Sequence, residues 1–138
     1  MTIDLMLKQA AKCNFELETE QEIFDYVCMH LAKQQRRAGV VEDGVFRCKY
    51  KTEEGLMCAA GCLLTEEELQ LTAEGVSIDH QELPLRLHTH TDLLKSLQDA
   101  HDKADSPTAS DMQGRLRTVA RCYALNEEAI EQIAEWRG

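Results

Sequence analysis

The stretch from Val45 to Leu64, VFRCKYKTEEGLMCAAGCLL, decides the fold, because it holds three of the six cysteines and the longest apolar run. In its first half Phe46, Cys48 and Tyr50 alternate with basic residues. Such alternation predicts a half-buried strand, since successive side chains of a strand point to opposite faces. The second half, 56–64, is apolar on both faces and predicts a strand that is buried on both.

The loop that joins these two strands is expected to end at Gly55, because glycine tolerates a positive φ. The register of the pairing stays open. If Lys51 pairs with Leu56, Cys48 and Cys58 point to opposite faces of the hairpin. A bulge at Gly55 shifts the pairing by one residue and brings Cys48 beside Cys58.

A helical segment precedes this stretch. The sequence TEQE at 19–22 is a capping box, in which a hydroxyl and a carboxylate satisfy free backbone amides. The apolar residues that follow recur at helical spacing and predict a helix over about 20–37. Residues 1–17 have a weaker pattern, typical of a short amphipathic helix or an arm that docks elsewhere.

Further helical patterns follow the stretch. A second capping box begins at Thr65 and predicts a short helix, and Val76 and Ile78 suggest a brief third strand. Three C-terminal helices are expected, over about 92–104, over about 110–124, and after Asn126.

Together these patterns predict a single α+β domain. A small antiparallel hairpin or three-stranded sheet, at about 45–63, is packed by the 20–37 helix and the three C-terminal helices. A bare two-stranded hairpin is marginal in water, so it must be packed by helices or paired with another copy. An open sheet edge predicts a homodimer formed through strand pairing.

Length and charge limit the functional classes. The chain has 138 residues and a formal net charge of -10, with 25 acidic and 15 basic side chains. This balance argues against direct nucleic-acid binding, which needs a positive field over the phosphates. No apolar stretch reaches the roughly 18 residues of a membrane span. The N-terminus lacks the order of a signal peptide, which predicts a cytoplasmic protein with no membrane partner.

The spacing of the cysteines is not that of a disulfide framework. Cys13, Cys28 and Cys122 stand singly in helical patterns, apart from the central group. In a reducing compartment, such cysteines act mostly as small apolar packing residues. No phosphate-binding glycine loop is present, and no cofactor is expected.

Metal binding is one alternative for the central cysteines. Zinc takes about four soft or borderline ligands, which Cys48, Cys58 and Cys62 with His88 or His90 would supply. The run from His88 to Asp92 also has the H-x-H-x-D spacing that places its ligands on one face of a strand. The threonine and aspartate of that run equally favour a helix-capping loop.

Cysteine nucleophilic catalysis is the other alternative. It needs a thiolate, a nearby histidine and a group that orients the histidine. Cys58 or Cys62 with His101 and Asp102 supplies these residue types, and a triad is defined by space rather than by sequence order. His101 and Asp102 also suit a structural role, in which a buried hydrogen bond joins the helix to the hairpin.

The chain also resembles a group of small proteins from bacteriophage, prophage and bacterial genomes. The resemblance covers about 19–125, and its most specific parts are the G-x-x-C-A-x-G segment at 55–61 and the L-Q-x-A-H-D segment at 97–102. The chain has Lys51 where the group shows an arginine after the tyrosine. The resemblance implies a phage-related accessory protein of the bacterial host cytoplasm and brings no activity with it.

The leading hypothesis is therefore a non-enzymatic protein that binds a host or phage protein, and inhibition of a host protein is one form of this hypothesis. A small cysteine-dependent hydrolase or transferase and a structural zinc protein are the alternatives.

Overall fold

The structure, a computed structural model, describes residues 13–138. The N-terminal segment predicted as an arm or short helix lies mostly outside the described residues. The α-helices and strands are, in chain order, α1 (Glu20–Gln34), β1 (Gly39–Glu42), β2 (Val45–Cys48), α2 (Glu66–Leu71), α3 (Leu85–His88), α4 (Thr91–Asp102) and α5 (Ala109–Cys122). The predicted α+β class is confirmed.

The two strands form an antiparallel hairpin, with Val41 opposite Phe46 and Glu42 opposite Val45. Asp43 and Gly44 connect them, with φ angles of 52° and 78°. Two consecutive positive φ values match a type I′ turn, whose twist fits that of the flanking strands. β2 was expected to pair with 56–64. That pairing is wrong, because the Asp-Gly turn closes a hairpin on the other side of β2.

The segment 56–64 is therefore not a strand. It makes one antiparallel bridge, between Lys51 and Met57, and then turns into a 3-10 helix at Gly61–Leu63. Neither predicted register occurs, because the bridge is shifted by one residue from the Lys51–Leu56 pairing in the direction opposite to that of the bulge and places Cys58 beside Tyr50 and not beside Cys48. The place of a further strand is taken by the Gln34 side chain, which accepts from the Met57 N–H and donates to its carbonyl, both at 2.9 Å.

The helix boundaries follow local capping chemistry. Thr19 and Glu22 form the predicted capping box of α1. This helix ends earlier than position 37, because Gln35 adopts a left-handed conformation with a φ of 66°. α5 begins after Thr108, whose hydroxyl accepts from the Asp111 N–H, and not after Ser110 as predicted.

Two predicted elements take the tighter 3-10 form. The expected third strand is a 3-10 helix at Ile78–His80, and the expected last helix is a 3-10 helix at Glu128–Gln132. Both segments still bury their apolar side chains, among them Ile78 and Ile130. Ile78 is buried as its pattern indicates, whereas Val76 is exposed and precedes the 3-10 helix. Segments this short do not reveal the type of turn.

One hydrophobic core joins these elements. α1 buries Ile23, Phe24, Val27, Cys28 and Leu31, and α4 and α5 pack their own apolar stripes against it. The C-terminal segment closes the core, where the Trp136 indole N–H donates to the Ala104 carbonyl at 2.8 Å. The small residues of 58–61 let the chain run through the middle of this core.

Gly61 is the tightest backbone contact of the central segment. A Cβ at this position would lie 2.0 Å from the Tyr50 carbonyl oxygen, whereas a Cβ at Gly114 of α5 would meet nothing within 4 Å. We expect Gly61→Ala to lower the free energy of unfolding by about 3 kcal/mol or more, because backbone must move. Gly114→Ala is the matched control and should raise it by about 0.5–1 kcal/mol. Urea unfolding measures both, and equal effects would contradict the close approach.

Candidate functional site

A cleft of about 230 Å³ lies between the end of β2, the segment 75–78 and α4. Two of the predicted cysteines, Cys48 and Cys58, line it together with Tyr50 and Asp102. The Tyr50 hydroxyl donates to the Val76 carbonyl at 2.5 Å, which fixes the far wall. The cleft therefore collects much of the chemistry that the sequence singled out.

His101 lies beside this cleft and is fully buried. Its Nε2 is 3.0 Å from the backbone nitrogen of Ala38, and its Nδ1 is 2.8 Å from Oδ1 of Asp102. A backbone N–H can only donate, so Nε2 must be the acceptor. The proton of the neutral ring therefore sits on Nδ1 and is donated to the Asp102 carboxylate.

Asp102 is the centre of the surrounding polar network. Besides His101, Gln98 donates to its Oδ1 at 2.6 Å, and the Cys48 thiol hydrogen-bonds to its carboxylate. Burial opposes ionisation, but hydrogen bonds from His101, Cys48 and Gln98 hold the pKa of this carboxyl below its usual value. Asp102 is therefore an anion whose acceptor capacity is largely used inside the protein.

The three central thiols are held in their protonated form. Burial and the neighbouring Asp102 carboxylate raise the pKa of Cys48. Burial raises the pKa of Cys58 to about 12, although the Gly61 N–H donates to its sulfur at 3.2 Å. Burial also raises the pKa of Cys62, whose thiol donates to the Ala59 carbonyl at 3.1 Å. Since the thiolate is the nucleophile, these environments disfavour attack.

The remaining predicted site residues lie elsewhere. Cys62 is buried and does not line the cleft. His88 ends α3, and His90 precedes α4, where its Nε2 lies 3.1 Å from the Glu18 carbonyl oxygen. These histidines are separated by a turn rather than carried on one strand face, so the H-x-H-x-D arrangement is not formed.

Sequence reasoning missed two members of the network, Ala38 and Gln98. Gln98 also accepts from the Ala60 N–H at 3.0 Å, so it connects α4 to the central segment. Its spacing of four residues from Asp102 on one helix was the available signal. Nothing in the sequence marks Ala38, because it contributes only a backbone N–H.

The geometry does not assemble a nucleophile and base. A cysteine nucleophile needs a histidine nitrogen that is free to take its proton. Both ring nitrogens of His101 are engaged, one by Ala38 and one by Asp102. The thiol of Cys48 is hydrogen-bonded to the Asp102 carboxylate, so it is not paired with a base that would take its proton.

The same network bears on metal binding. One ligand atom each from Cys48, His101 and Asp102 lies within 4.8 Å of the others. A metal-binding histidine normally donates the N–H of its second nitrogen to an acceptor. Here the second nitrogen faces the Ala38 N–H, which is a donor. A metal at Nδ1 would therefore have to break the hydrogen bond to Ala38.

Comparison with family models, with curated proteins and with solved structures found no match for this chain. Within residues 13–138, no helix is both long and apolar enough to cross a membrane.

The protonated nitrogen of His101 tests the structural role of this residue. Long-range ¹H–¹⁵N NMR at neutral pH should show the neutral ring with its proton on Nδ1. Zinc added in twofold excess should leave these resonances unchanged, because Nδ1 is committed to Asp102. His88 and His90 serve as internal references. A proton on Nε2, or loss of the His101 signals with zinc, would contradict the network.

Thiol accessibility tests the packing role of the central cysteines. Cys13 and Cys122 are exposed, whereas Cys28, Cys58 and Cys62 are buried. At about pH 8 a mild disulfide reagent should label the two exposed thiols quickly, because the reagent can reach them, and the others only on unfolding, because burial excludes the reagent and, at half-buried Cys48, burial and Asp102 raise the pKa. Cys13→Ser with Cys122→Ser should abolish the fast phase. Fast labelling of Cys48 or Cys58, located by mass spectrometry, would revive the enzyme hypothesis.

Proposed function

We propose that this protein acts without catalysis, by binding another protein through the surface formed by α2 and α3. The observation that carries this proposal is the exposure of two leucines. Leu71 at the end of α2 is 89% exposed and Leu85 at the start of α3 is 81% exposed. Single exposed leucines are common, but these two belong to short helices that are locked to each other.

The two short helices are held together by an ion pair between Glu68 of α2 and Arg86 of α3. The guanidinium binds both carboxylate oxygens, at 2.6 and 2.7 Å, and also donates to the Leu63 carbonyl at 3.0 Å. Arg86 lowers the pKa of Glu68 to about 2. A bidentate pair of this kind fixes orientation as well as distance. The two leucines are thus displayed on a preorganised support, which reduces the entropic cost of binding.

The charge around the leucines indicates the chemistry of the partner. Glu66 and Glu67 lie on α2, and Glu82 lines a shallow depression together with Leu83 and Leu85. The chain as a whole carries a formal net charge of -10. A partner with an apolar centre and a basic rim complements this surface, since opposite potentials favour encounter and orientation.

The resemblance to small phage and prophage proteins supports a host protein as that partner, met in the bacterial cytoplasm. Small accessory proteins of this kind need no chemistry of their own if they cover a functional surface. Inhibition of a host protein is the form of this proposal that the resemblance favours.

The test is quantitative capture from a bacterial host lysate with three immobilised proteins. We expect the wild type and Val45→Thr, an exposed and nearly isosteric change on the hairpin, to retain the same partner. Leu71→Gln with Leu85→Gln should reduce its recovery at least about tenfold, because apolar contact area is lost. Equal recovery by all three proteins, or no saturable partner, would contradict the proposal. Circular dichroism of each variant checks that the fold is kept.

A further inference from the structure

The hairpin offers a second surface, separate from the leucines of α2 and α3. β1 lies at the edge of a two-stranded sheet, and it contains neither a proline nor a lysine nor a bulge that would protect an edge from pairing. Val41 on this strand is 70% exposed. An unprotected edge with two adjacent valines is suited to accept another strand.

The hydrogen-bond pattern of the hairpin shows which backbone groups are free. The Lys49 N–H donates to the Ala38 carbonyl at 3.0 Å, so the Ala38 carbonyl points inward, toward the other strand of the hairpin. Because inward and outward directions alternate in an antiparallel ladder, Val40 also bonds inward, whereas Gly39 and Val41 point their N–H and C=O groups outward. Among the described residues, no hydrogen bond reaches these outward groups.

The opposite edge of the hairpin is not free in the same way. The chain leaves β2 and enters the body of the protein, where the outward N–H of Tyr50 donates to Glu74 at 2.9 Å. The Tyr50 carbonyl accepts from the Cys58 N–H at 3.3 Å. Among the described residues, the outward groups of Phe46 and Cys48 on β2 have no hydrogen bond either, but Cys48 lines the cleft opposite the segment 75–78. A strand added at β2 would have to enter that cleft, so the edge at β1 is the one at which a further strand fits.

The charges that flank β1 identify the strand that fits. The sequence of 36–43 is RRAGVVED, with two arginines before the strand, Glu42 as its last residue and Asp43 directly after it. An antiparallel copy of the same segment places the acidic end of one beside the basic end of the other. This self-complementarity is what a twofold-symmetric contact requires, because the same patch must serve on both subunits.

We infer that the protein forms a twofold-symmetric dimer in which β1 pairs antiparallel with β1 of a second copy. Outward groups must face outward groups, and the register in which Arg37 also faces the partner's Asp43 places Val41 opposite the partner's Gly39 and Val40 opposite the partner's Val40. The two hairpins then form one four-stranded sheet. The Phe46 ring already covers Gly39, so each exposed Val41 meets an apolar surface across the new contact.

A strand of four residues buries little area, so the dimer is expected to be weak and to depend on concentration. Sedimentation velocity from about 1 to about 500 µM should show the wild type changing from monomer to dimer, with a dissociation constant within that range. A wild-type protein that stays monomeric throughout would overturn the inference.

Two charge reversals test the register. Arg36→Glu and Glu42→Lys each place like charges at both ends of the twofold contact, and each should weaken the homodimer at least about tenfold. An equimolar mixture of the two variants should dimerise again, because both ends of the mixed dimer are then complementary. Variants that dimerise as well as the wild type, or a mixture that stays monomeric, would overturn the inference.

Val41→Pro gives an independent measurement. It removes an outward N–H that the β1–β2 ladder does not use, and it should abolish the dimer while the monomer stays folded. If circular dichroism shows that this variant is unfolded, the two charge-reversal variants and their mixture alone decide whether the inferred dimer forms. The inferred dimer and the proposed partner surface can be contradicted independently, since the capture experiment changes residues of α2 and α3 and leaves β1 unchanged.

Discussion

The structure depends on the hydrogen bonds that hold the base of the hairpin to the end of α4. The Ala38 N–H donates to His101, and the adjacent Arg37 side chain donates to the Asp102 carbonyl at 3.0 Å. The Arg37 guanidinium also stacks on Phe46, 3.9 Å from the ring centroid. A two-stranded hairpin has too little core of its own, so its position must come from contacts of this kind. A buried imidazole suits this task because it can accept from one side and donate to the other.

These hydrogen bonds also explain why the thiol and the imidazole at the cleft are held in unreactive states. Cys48, His101 and Asp102, which the sequence connects with catalysis or zinc, lie close together, but each is used in the network. Asp102 receives the proton of His101, and the thiol of Cys48 faces the same carboxylate. Placing a thiol beside an anion and away from water stabilises its neutral form. The arrangement therefore increases rigidity at the expense of reactivity, which is consistent with a protein that works through its surface.

That surface has two regions with different physical character. The region of α2 and α3 combines exposed leucines with a bidentate ion pair and surrounding acids, which favours a partner of opposite charge. The edge of β1 offers unpaired backbone groups and a self-complementary charge pattern, which favours another copy of the chain. The His101 network bears on the second region, because it fixes the orientation in which the hairpin edge is presented.

The sequence by itself determined what depends on neighbouring residues. The capping boxes at Thr19 and Thr65 and the apolar stripe of α1 follow from local hydrogen bonding and periodicity. Tertiary structure alone decided the course of 56–64 and the role of Gln34, because a strand partner and a side-chain amide compete for the same backbone groups. It also decided the state of His101, since the donor that occupies its Nε2 belongs to a residue 63 positions away. Every residue except proline has a backbone N–H, so the sequence does not indicate which one donates to His101. Only the folded chain shows that the Ala38 N–H reaches Nε2.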